Sequence, residues 1–586
     1  MQATMQPDAE YVDVLVVGAG PVGLLTAFQL AKFGGVSVRI VEKHVKSEQD
    51  RYGRAITLFP RTTEMLDQLG LADEMLQSCF ACRDTATFNA QGDEISGRGW
   101  SFMKHMSGSA FNFALVLRQK YQEEIFRNAL KQHNVRVEAP VELTTASVDD
   151  TVPTKDYKVT ATLLHQDTGA YEIVKCKYLI GCDGGRSSVR HIFDIPFKGS
   201  SSELTWVRID GQVDSNLPNP RSYCSIESPT HGNVLWAPLD HGGTRIGYAF
   251  TDDRADAYQE FDERAAVTEA IAAVQPFSVE FKSVDWWTIY TVAQRIAESF
   301  FLKGCIFLAG DAGHTHSSAA AQGLNTGIHD AVNLAWKLSL VLRECAQEDI
   351  LKTYQGERLV HISKLIGYDK DISELMSNRL PEKWKGSPDA DVNVILDKLL
   401  EEAATFTSGL GISYEVQDGN PLNAVGSFHS PHPQVGPGMR GPDIELLRPG
   451  TYDPVRLIRI LPNIGQFNVL IFTNKNQPPI PNKVYKDLTE ALARERPILM
   501  SHMTFITILP MPMPSPYEFL GHEPIGRVFF DREEGTAYGK YGISQTQGAI
   551  VVLRPDGWIG TMIKLEEMAT WELETYFDKF LRYRSL

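Results

Sequence analysis

Long apolar runs are missing from this chain of 586 residues. A bilayer-crossing helix needs roughly 18 or more consecutive apolar residues, and no stretch reaches that, so no membrane span is expected. The opening MQATMQPDAE has neither a basic nor an apolar stretch, and the first apolar run, VDVLVV, stops at a glycine turn. A secretory leader is therefore not expected. Positive charge is in deficit: 57 Lys and Arg against 73 Asp and Glu, a net charge of −16. Nucleic acid and anionic membrane surfaces both demand positive potential, so neither is an expected partner. Cysteine is sparse, with 7 residues between Cys79 and Cys345 and none beyond. An odd count without framework spacing suits a reducing compartment, and a cytoplasmic protein is expected. Cys79 and Cys82 form a C-x-x-C, but it reads as part of a helix (LADEMLQSCFACRD) with no second pair, which argues against redox or metal work.

What is present points to two or three domains, as the length requires. The chain opens β-α-β: YVDVLVV, then PVGLLTAFQLAKF with helical spacing of apolar residues, then VSVRIVEK. Strand-like KYLIGCDG and CIFLAGD follow near 180 and 305. Between them, LTWVRIDGQV, GNVLWAPL and TRIGYAF alternate in character and are separated by turn residues, which predicts antiparallel sheet. His231 and Arg245 in this region read as surface or structural residues. Beyond 320 a helix is expected, with Ile328, Val332, Ala335, Leu338 and Leu342 along one stripe. A Pro- and Gly-rich connection precedes a final region in which strands and helices alternate.

GAGPVG, residues 18–23, is a G-x-G-x-x-G that follows a strand and opens a helix, and the next strand ends in Glu42. Gly18 permits the tight turn, Gly20 lets backbone approach a pyrophosphate, and Gly23 lets helix and strand pack closely. Glu42 would accept from a ribose 2′-hydroxyl and repel a 2′-phosphate, so FAD or NAD is expected rather than NADP. A second segment, GDAGHTHSSAAAQG from 310, offers two other chemistries. His314 and His316 with Asp311 lack a helical ligand spacing and any completing cluster, so no metal is expected. Ser317 lacks the elbow of a nucleophile.

Five segments together resemble the flavin-dependent aromatic hydroxylases, and more narrowly the phenol hydroxylase branch. They are GAGPVG with Glu42, GRAITLFPRTTEMLDQLGL from 53, LVLRQKYQEEI from 115, LIGCDGGRSSVR from 179, and GDAGHTHSSAAAQGLNTGIHDAVNLAWKL from 310. They keep the family's order over most of residues 10 to 360. The resemblance implies an α/β fold: a Rossmann-like FAD-binding domain (1–200 and 285–380) interleaved with an antiparallel-sheet substrate domain (200–285, with part of 80–115). A connecting segment (380–450) and a thioredoxin-like domain without cysteines (450–586) would complete it.

By the same resemblance, Gly310 and Asp311 meet the ribityl and phosphate portion of FAD, and Arg54, Arg118 and Gln119 contact the cofactor. Pro21 and Lys43 flank the same crevice, and Asp183 lies next to flavin and nicotinamide. Small residues such as Ala321 and Gly323 leave room for the ring, and the helix beginning at Leu324 and Asn325 aims its positive end there. In VDWWTIYTVAQRIAESF from 284, Trp286 and Tyr290 share a strand face and Trp287 takes the other. The resemblance gives Tyr290, just before Gln294 and Arg295, a contact with substrate and flavin.

The chain departs from the family at three places. Ser318 replaces a proline, Ala321 replaces a glycine, and Ile56 and Thr57 stand where the branch has an aspartate base. The expected reaction is hydroxylation of a phenolic substrate by FAD, NADPH or NADH, and O2, through a flavin hydroperoxide. Decarboxylative hydroxylation of a 4-hydroxybenzoate-type substrate, a flavoprotein without oxygenase activity, and a flavin-free NAD-linked dehydrogenase stay open as alternatives. The segment YGKYGISQTQGAIVVLRPDGWIG from 538 resembles the branch's thioredoxin-like appendage, which implies a homodimer.

Overall fold

The computed structural model describes residues 9–582 apart from 50–53, 97–99, 101, 104–105, 154, 318–320, 377–378, 388, 418, 476–482 and 496. Ser318 thus lies outside the described residues. An eight-stranded sheet contains the parallel run Ile306–Leu308, Ala170–Gly181, Glu10–Val17, Val38–Val41 and Val137–Glu138, in that spatial order. Val14, Leu15 and Val16 are fully buried, because a parallel sheet is covered on both faces and so reads as unbroken apolar sequence. Val17 lies opposite Gly181 and Val41, and Gly181 lies opposite Leu308. Four strands therefore finish level, and the segments that follow them share one edge.

The second sheet has seven strands, in the order His314–Thr315, Val279–Ala297, Phe197–Ser215, Thr244–Phe250, Gly232–Pro238, Tyr223–Ser228 and Thr85–Phe88. Its two long strands alternate faces with period two where Trp206–Asp210 pairs with Trp286–Tyr290. Val207, Ile209 and Trp287 turn to an apolar layer under the helix Glu263–Ala273, while Arg208, Asp210, Trp286 and Tyr290 share the opposite face. Val279–Ala297 continues past residue 285, where the resemblance sets a domain boundary, with a bulge at that point: Asp210 pairs with Trp286 and Gly211 with Val284. Its far end pairs with the loop after Asp311, Arg295 opposite Thr315 and Ile296 opposite His314. His231 and Arg245 are both structural. His231 is buried against Glu269 at 2.7 Å, and Arg245 grips Asp210 through two hydrogen bonds of 2.6 and 2.9 Å.

The third sheet is thioredoxin-like. Phe467–Phe472 lies between parallel Met503–Leu509 and antiparallel Ala549–Leu553, with Ile559–Lys564 beyond. Three sequence expectations need correction. Helix Gln322–Leu342 is buried on every side rather than along one stripe, because domains close over it from all directions. Cys79 and Cys82 do not share a helix: the helix Ala72–Ser78 stops before Cys79, and Cys82 ends the strand Phe80–Cys82. Burial pushes their thiols up, to about 11 and about 12, so neither is a thiolate near neutrality. The 380–450 segment is more than a connection, since Val392–Glu402 is a helix whose Leu396 and Leu400 join a core with Ile372 and Leu375. Among the described residues, no helix is long and apolar enough to cross a membrane.

Candidate active site

The level strand ends bring Gly18, Glu42, Asp183 and Gly310 to one crevice at the carboxyl edge of the parallel sheet, where ligands of such sheets bind. Gly18 has φ +99°, and a Cβ there would meet the Cys182 carbonyl oxygen at 2.4 Å. A Cβ on Gly23 would lie 1.9 Å from the Gly18 oxygen. Gly20 is different: nothing lies within 4 Å of a Cβ built on it. Its freedom serves something outside the protein's own packing. Helix Pro21–Phe33 begins at Gly20 with Pro21 in its first turn, no side-chain cap and no acidic residue, which leaves its N–H groups for an anion.

Glu42 Oε2 accepts from Ala19 N at 2.8 Å and Oε1 from His44 N at 2.9 Å, so the carboxylate is fixed while further lone pairs remain for a ribose. Lys43 beside it is exposed. Asp183 Oδ2 accepts from Val189 N at 3.1 Å, but Oδ1 is buried without a partner. Burial raises the Asp183 pKa, and an orphaned acceptor of this kind calls for a donor from a ligand. The open space at Gly20, the uncapped helix and the orphaned Asp183 oxygen all fit FAD.

Gly310 (φ +62°) sits so close to the opening helix that a Cβ would reach Val22 Cγ2 at 2.9 Å. Its N–H donates to Asp330 Oδ2 at 2.9 Å, and the next residue, Asp311, is exposed. The two loop histidines do not form a metal shell. His314 Nε2 is bonded to the same Asp330 oxygen at 2.7 Å, and His316 stacks parallel to His314 with ring centres 6.1 Å apart. Among the described residues, no group of three potential metal ligands gathers anywhere. Ser317 spends its hydroxyl on Asp369 Oδ1 at 2.5 Å, and its N–H on Asp369 Oδ2 at 2.7 Å. Asp369 also accepts from Gln294 at 2.7 Å, so one carboxylate ties the loop to the substrate sheet.

Ala321 takes a left-handed conformation (φ +51°) to start the helix, a conformation in which the family's glycine is at ease and alanine is strained. Gly323 keeps an open side, with only His316 Cε1 at 3.7 Å from a built Cβ. Leu324 is buried. Asn325 bonds backbone rather than open space: Oδ1 accepts from Phe59 N at 2.8 Å, and Nδ2 donates to Thr57 and Ala321 carbonyls at 3.0 and 2.8 Å.

Asp330 is the hub of this region, and nothing in its sequence context announces that. Burial alone would raise its carboxyl, but Arg358, at 2.6 Å from Oδ1, and His314 outweigh that and hold it well below the usual carboxylate range. Because the folded-state pKa lies below the unfolded one, its contribution is complete above about pH 4 and is lost as pH falls. Asp330→Asn leaves Arg358 buried without its counter-charge, which costs about 3–5 kcal/mol. Urea unfolding at neutral pH is expected to register that loss, and the variant's stability should depend less on acid pH. Equal acid dependence in both proteins would contradict the assignment.

On the substrate sheet, the Tyr290 ring lies 5.1 Å from the Arg54 guanidinium and 5.8 Å from that of Arg208. Arg208 Nε donates to Tyr290 Oη at 3.2 Å. Arg245 donates to the Arg54 carbonyl, and Gln119 exchanges hydrogen bonds with Ala55, N to O at 3.0 Å and N to Oε1 at 3.3 Å. The carbonyl and the N–H of the Arg54–Ala55 peptide are thereby both held. Arg118, assigned to the cofactor by resemblance, has its side chain turned to Asp240 at 2.9 Å and Asp285 at 2.6 Å, so it joins the two domains. An apolar cluster combines Ile56, Phe59, Phe102 and Tyr223 with Trp100 and Ala321 of the flavin loop. Trp100 stacks on Tyr223 at 4.4 Å, and burial raises the Tyr223 phenol to about 12.

Fold and crevice together define an FAD-binding protein of the Rossmann-like class. Residues 11–368 match the family described as FAD binding domain, and 513–585 match the phenol hydroxylase C-terminal dimerisation domain. The chain belongs to the FAD-dependent aromatic monooxygenases of this two-part architecture. It is 28% identical over 600 residues to a phenol 2-monooxygenase of Aspergillus fumigatus, covering 98% of this chain and 97% of that one. A 3-hydroxybenzoate 4-monooxygenase of Comamonas testosteroni is likewise 28% identical, over 97% and 95% of the two chains. Among solved structures, aklavinone-11 hydroxylase in complex with FAD and aklavinone superposes with a TM-score of 0.70 over 98% of this chain and 99% of that one, at 21% identity. That last likeness is one of fold.

Proposed function

We propose that this chain takes electrons from NAD(P)H and places one oxygen atom of O2 on the ring of a phenolic substrate, the other oxygen leaving as water. The two-electron exchange with the nicotinamide and the activation of O2 are supplied by FAD when bound. The observation that carries the reading is the Tyr290 ring, 5.1 and 5.8 Å from the guanidinium groups of Arg54 and Arg208 on the substrate sheet.

The aromatic cluster of Phe59, Trp100, Phe102 and Tyr223 with Ala321 of the flavin loop would select an aromatic ring and keep water from the reacting face. Arg208 donates to Tyr290 Oη and fixes the direction of the phenol. The Tyr290 hydroxyl then offers its own proton to a substrate oxygen, holding the ring in one register. A free phenol ionises near pH about 10, and the neighbouring positive charges favour its anionic, electron-rich form. The helix Gln322–Leu342 directs its N-terminus at the loop from Asp311, which stabilises negative charge there.

Gly18, Gly20, Gly23 and Glu42 would hold the adenosine and pyrophosphate end, and Asp183, Asp311 and Gly323 the flavin end. With a single dinucleotide turn in the chain, the nicotinamide donor binds transiently. A homodimer through the C-terminal domain and a reducing, cytoplasmic setting complete the reading. The seven unpaired thiols support the latter.

The test is a panel of phenolic acids and alkylphenols offered to the holoenzyme, following NAD(P)H consumption and identifying products. Stimulated consumption with a hydroxylated product is expected. Flavin-bound protein that consumes no NAD(P)H with any phenol would instead mark a flavoprotein without oxygenase activity.

A further inference from the structure

The C-terminal domain reaches the flavin site through one turn. Residues 554–558 join the strands Ala549–Leu553 and Ile559–Lys564. Arg554, Asp556 and Trp558 are no more than 1% exposed, although a hairpin turn of a separate domain would ordinarily face solvent.

Three segments of the flavin domain converge on this turn. The first is the helix Pro60–Gln68, which follows Arg54 closely in the chain. Its Arg61 lies over the Trp558 ring at 4.6 Å and donates to the Asp556 carbonyl at 2.5 Å. Gly557 (φ +82°) makes room for it, since a Cβ there would meet Arg61 Nη2 at 2.6 Å. The second is the helix Gln322–Leu342, whose Trp336 Nε1 donates to Asp556 Oδ2 at 3.0 Å.

The third is the helix Lys352–Met376. Its Glu357 accepts from both terminal nitrogens of Arg554 at 2.6 and 2.9 Å, and from Lys337 of the second segment at 2.8 Å. The next residue, Arg358, donates to Tyr414 Oη at 3.2 Å, to the Thr326 carbonyl at 3.1 Å and to Asp330 at 2.6 Å. Tyr414 stacks on Trp558 at 5.0 Å. A continuous path therefore runs from Trp558 through Tyr414, Arg358 and Asp330 to the N–H of Gly310, beside Asp311.

We infer that the 554–558 turn is a positioning element of the flavin site, holding in register the segments that bear Arg54, Asn325 and Asp311. Cofactor affinity is then set partly from the C-terminal domain, in addition to that domain's role between subunits. This rests on the flavin reading above. Buried ion pairs contribute little net stability compared with apolar packing of the same volume. What Arg554, Glu357, Arg358 and Asp330 do supply is a single permitted geometry, which an apolar interface would leave free to slide. Coupling between two sites is reciprocal in binding free energy, so FAD must stabilise the turn as much as the turn favours FAD.

The experiment uses full-length wild type, Trp558→Phe and Tyr414→Phe, each stripped of flavin and titrated with FAD by fluorescence. Melting temperature of the apoprotein is measured alongside, with hydrogen exchange of amides 549–564 with and without FAD. Trp558→Phe is expected to weaken FAD binding by about 5–50-fold, and Tyr414→Phe less. Wild-type amides in 549–564 should exchange more slowly once FAD is bound, and this protection should shrink in both variants.

A purely structural turn would lower the apoprotein melting temperature and leave both FAD affinity and the protection unchanged. That result overturns the inference. If Trp558→Phe does not fold, Tyr414→Phe decides alone, because it keeps the stacked ring and removes only the hydroxyl that accepts from Arg358. A wild type that binds no FAD sinks the flavin reading and this inference together. A wild type that binds FAD, beside variants that bind it equally well, sinks this inference only.

Discussion

Gly20→Val is expected to give a folded protein that has lost its flavin. Nothing in the protein lies within 4 Å of a Cβ at position 20, so the larger side chain meets no protein atom at its base and the sheet and helix assemble as before. It would instead fill the space over the uncapped start of helix Pro21–Phe33, where the pyrophosphate must approach the backbone. Losing two hydrogen bonds to a charged group removes about 1.5–3 kcal/mol each, so FAD affinity should fall at least about a hundredfold.

Gly23→Val should behave differently, since its Cβ would stand 1.9 Å from the Gly18 oxygen. Flavin and fold should both be lost. Visible absorbance and thermal melting of the two variants separate these outcomes. A yellow Gly20→Val protein with normal flavin content would contradict the crevice assignment.

Tyr290→Phe should uncouple the enzyme. The ring keeps its contacts with Arg54 and Arg208, so packing is kept, but the hydroxyl that Arg208 orients is gone. Hydroxylated product is expected to fall by about 10²–10³-fold, within the usual range for a positioned proton donor. NAD(P)H oxidation should continue at a fraction of its normal rate, with its electrons appearing as hydrogen peroxide. Full coupling in this variant would remove Tyr290 from the mechanism.

The fold class was legible from the sequence because its signals are local. GAGPVG follows a strand, opens a helix and is answered by Glu42 at the next strand end, and each step has a steric reason readable one residue at a time. The strands KYLIGCDG and CIFLAGD could be recognised as apolar runs, and parallel pairing then carries their last residues to the same edge.

What stayed hidden depends on pairs distant in sequence. Asp330 and Arg358 lie on different helices and read as ordinary charged residues until the helices pack. The Glu357–Arg554 pair spans two domains. The resemblance gives Arg118 a cofactor contact, and only the sheet's geometry brings Asp240 and Asp285 within its reach. The one-sided stripe on Gln322–Leu342 failed because periodicity registers the first partner of a helix and cannot register the C-terminal domain that covers its other side.

The most direct measurement of the whole account is product mass after turnover under isotopically labelled O2, with the holoenzyme, NAD(P)H and a phenol that stimulates its consumption. The account predicts a hydroxylated ring carrying one labelled oxygen, with no label when the isotope is supplied in water instead. A product whose new oxygen comes from water, or reducing equivalents consumed with the phenol recovered unchanged, would contradict it.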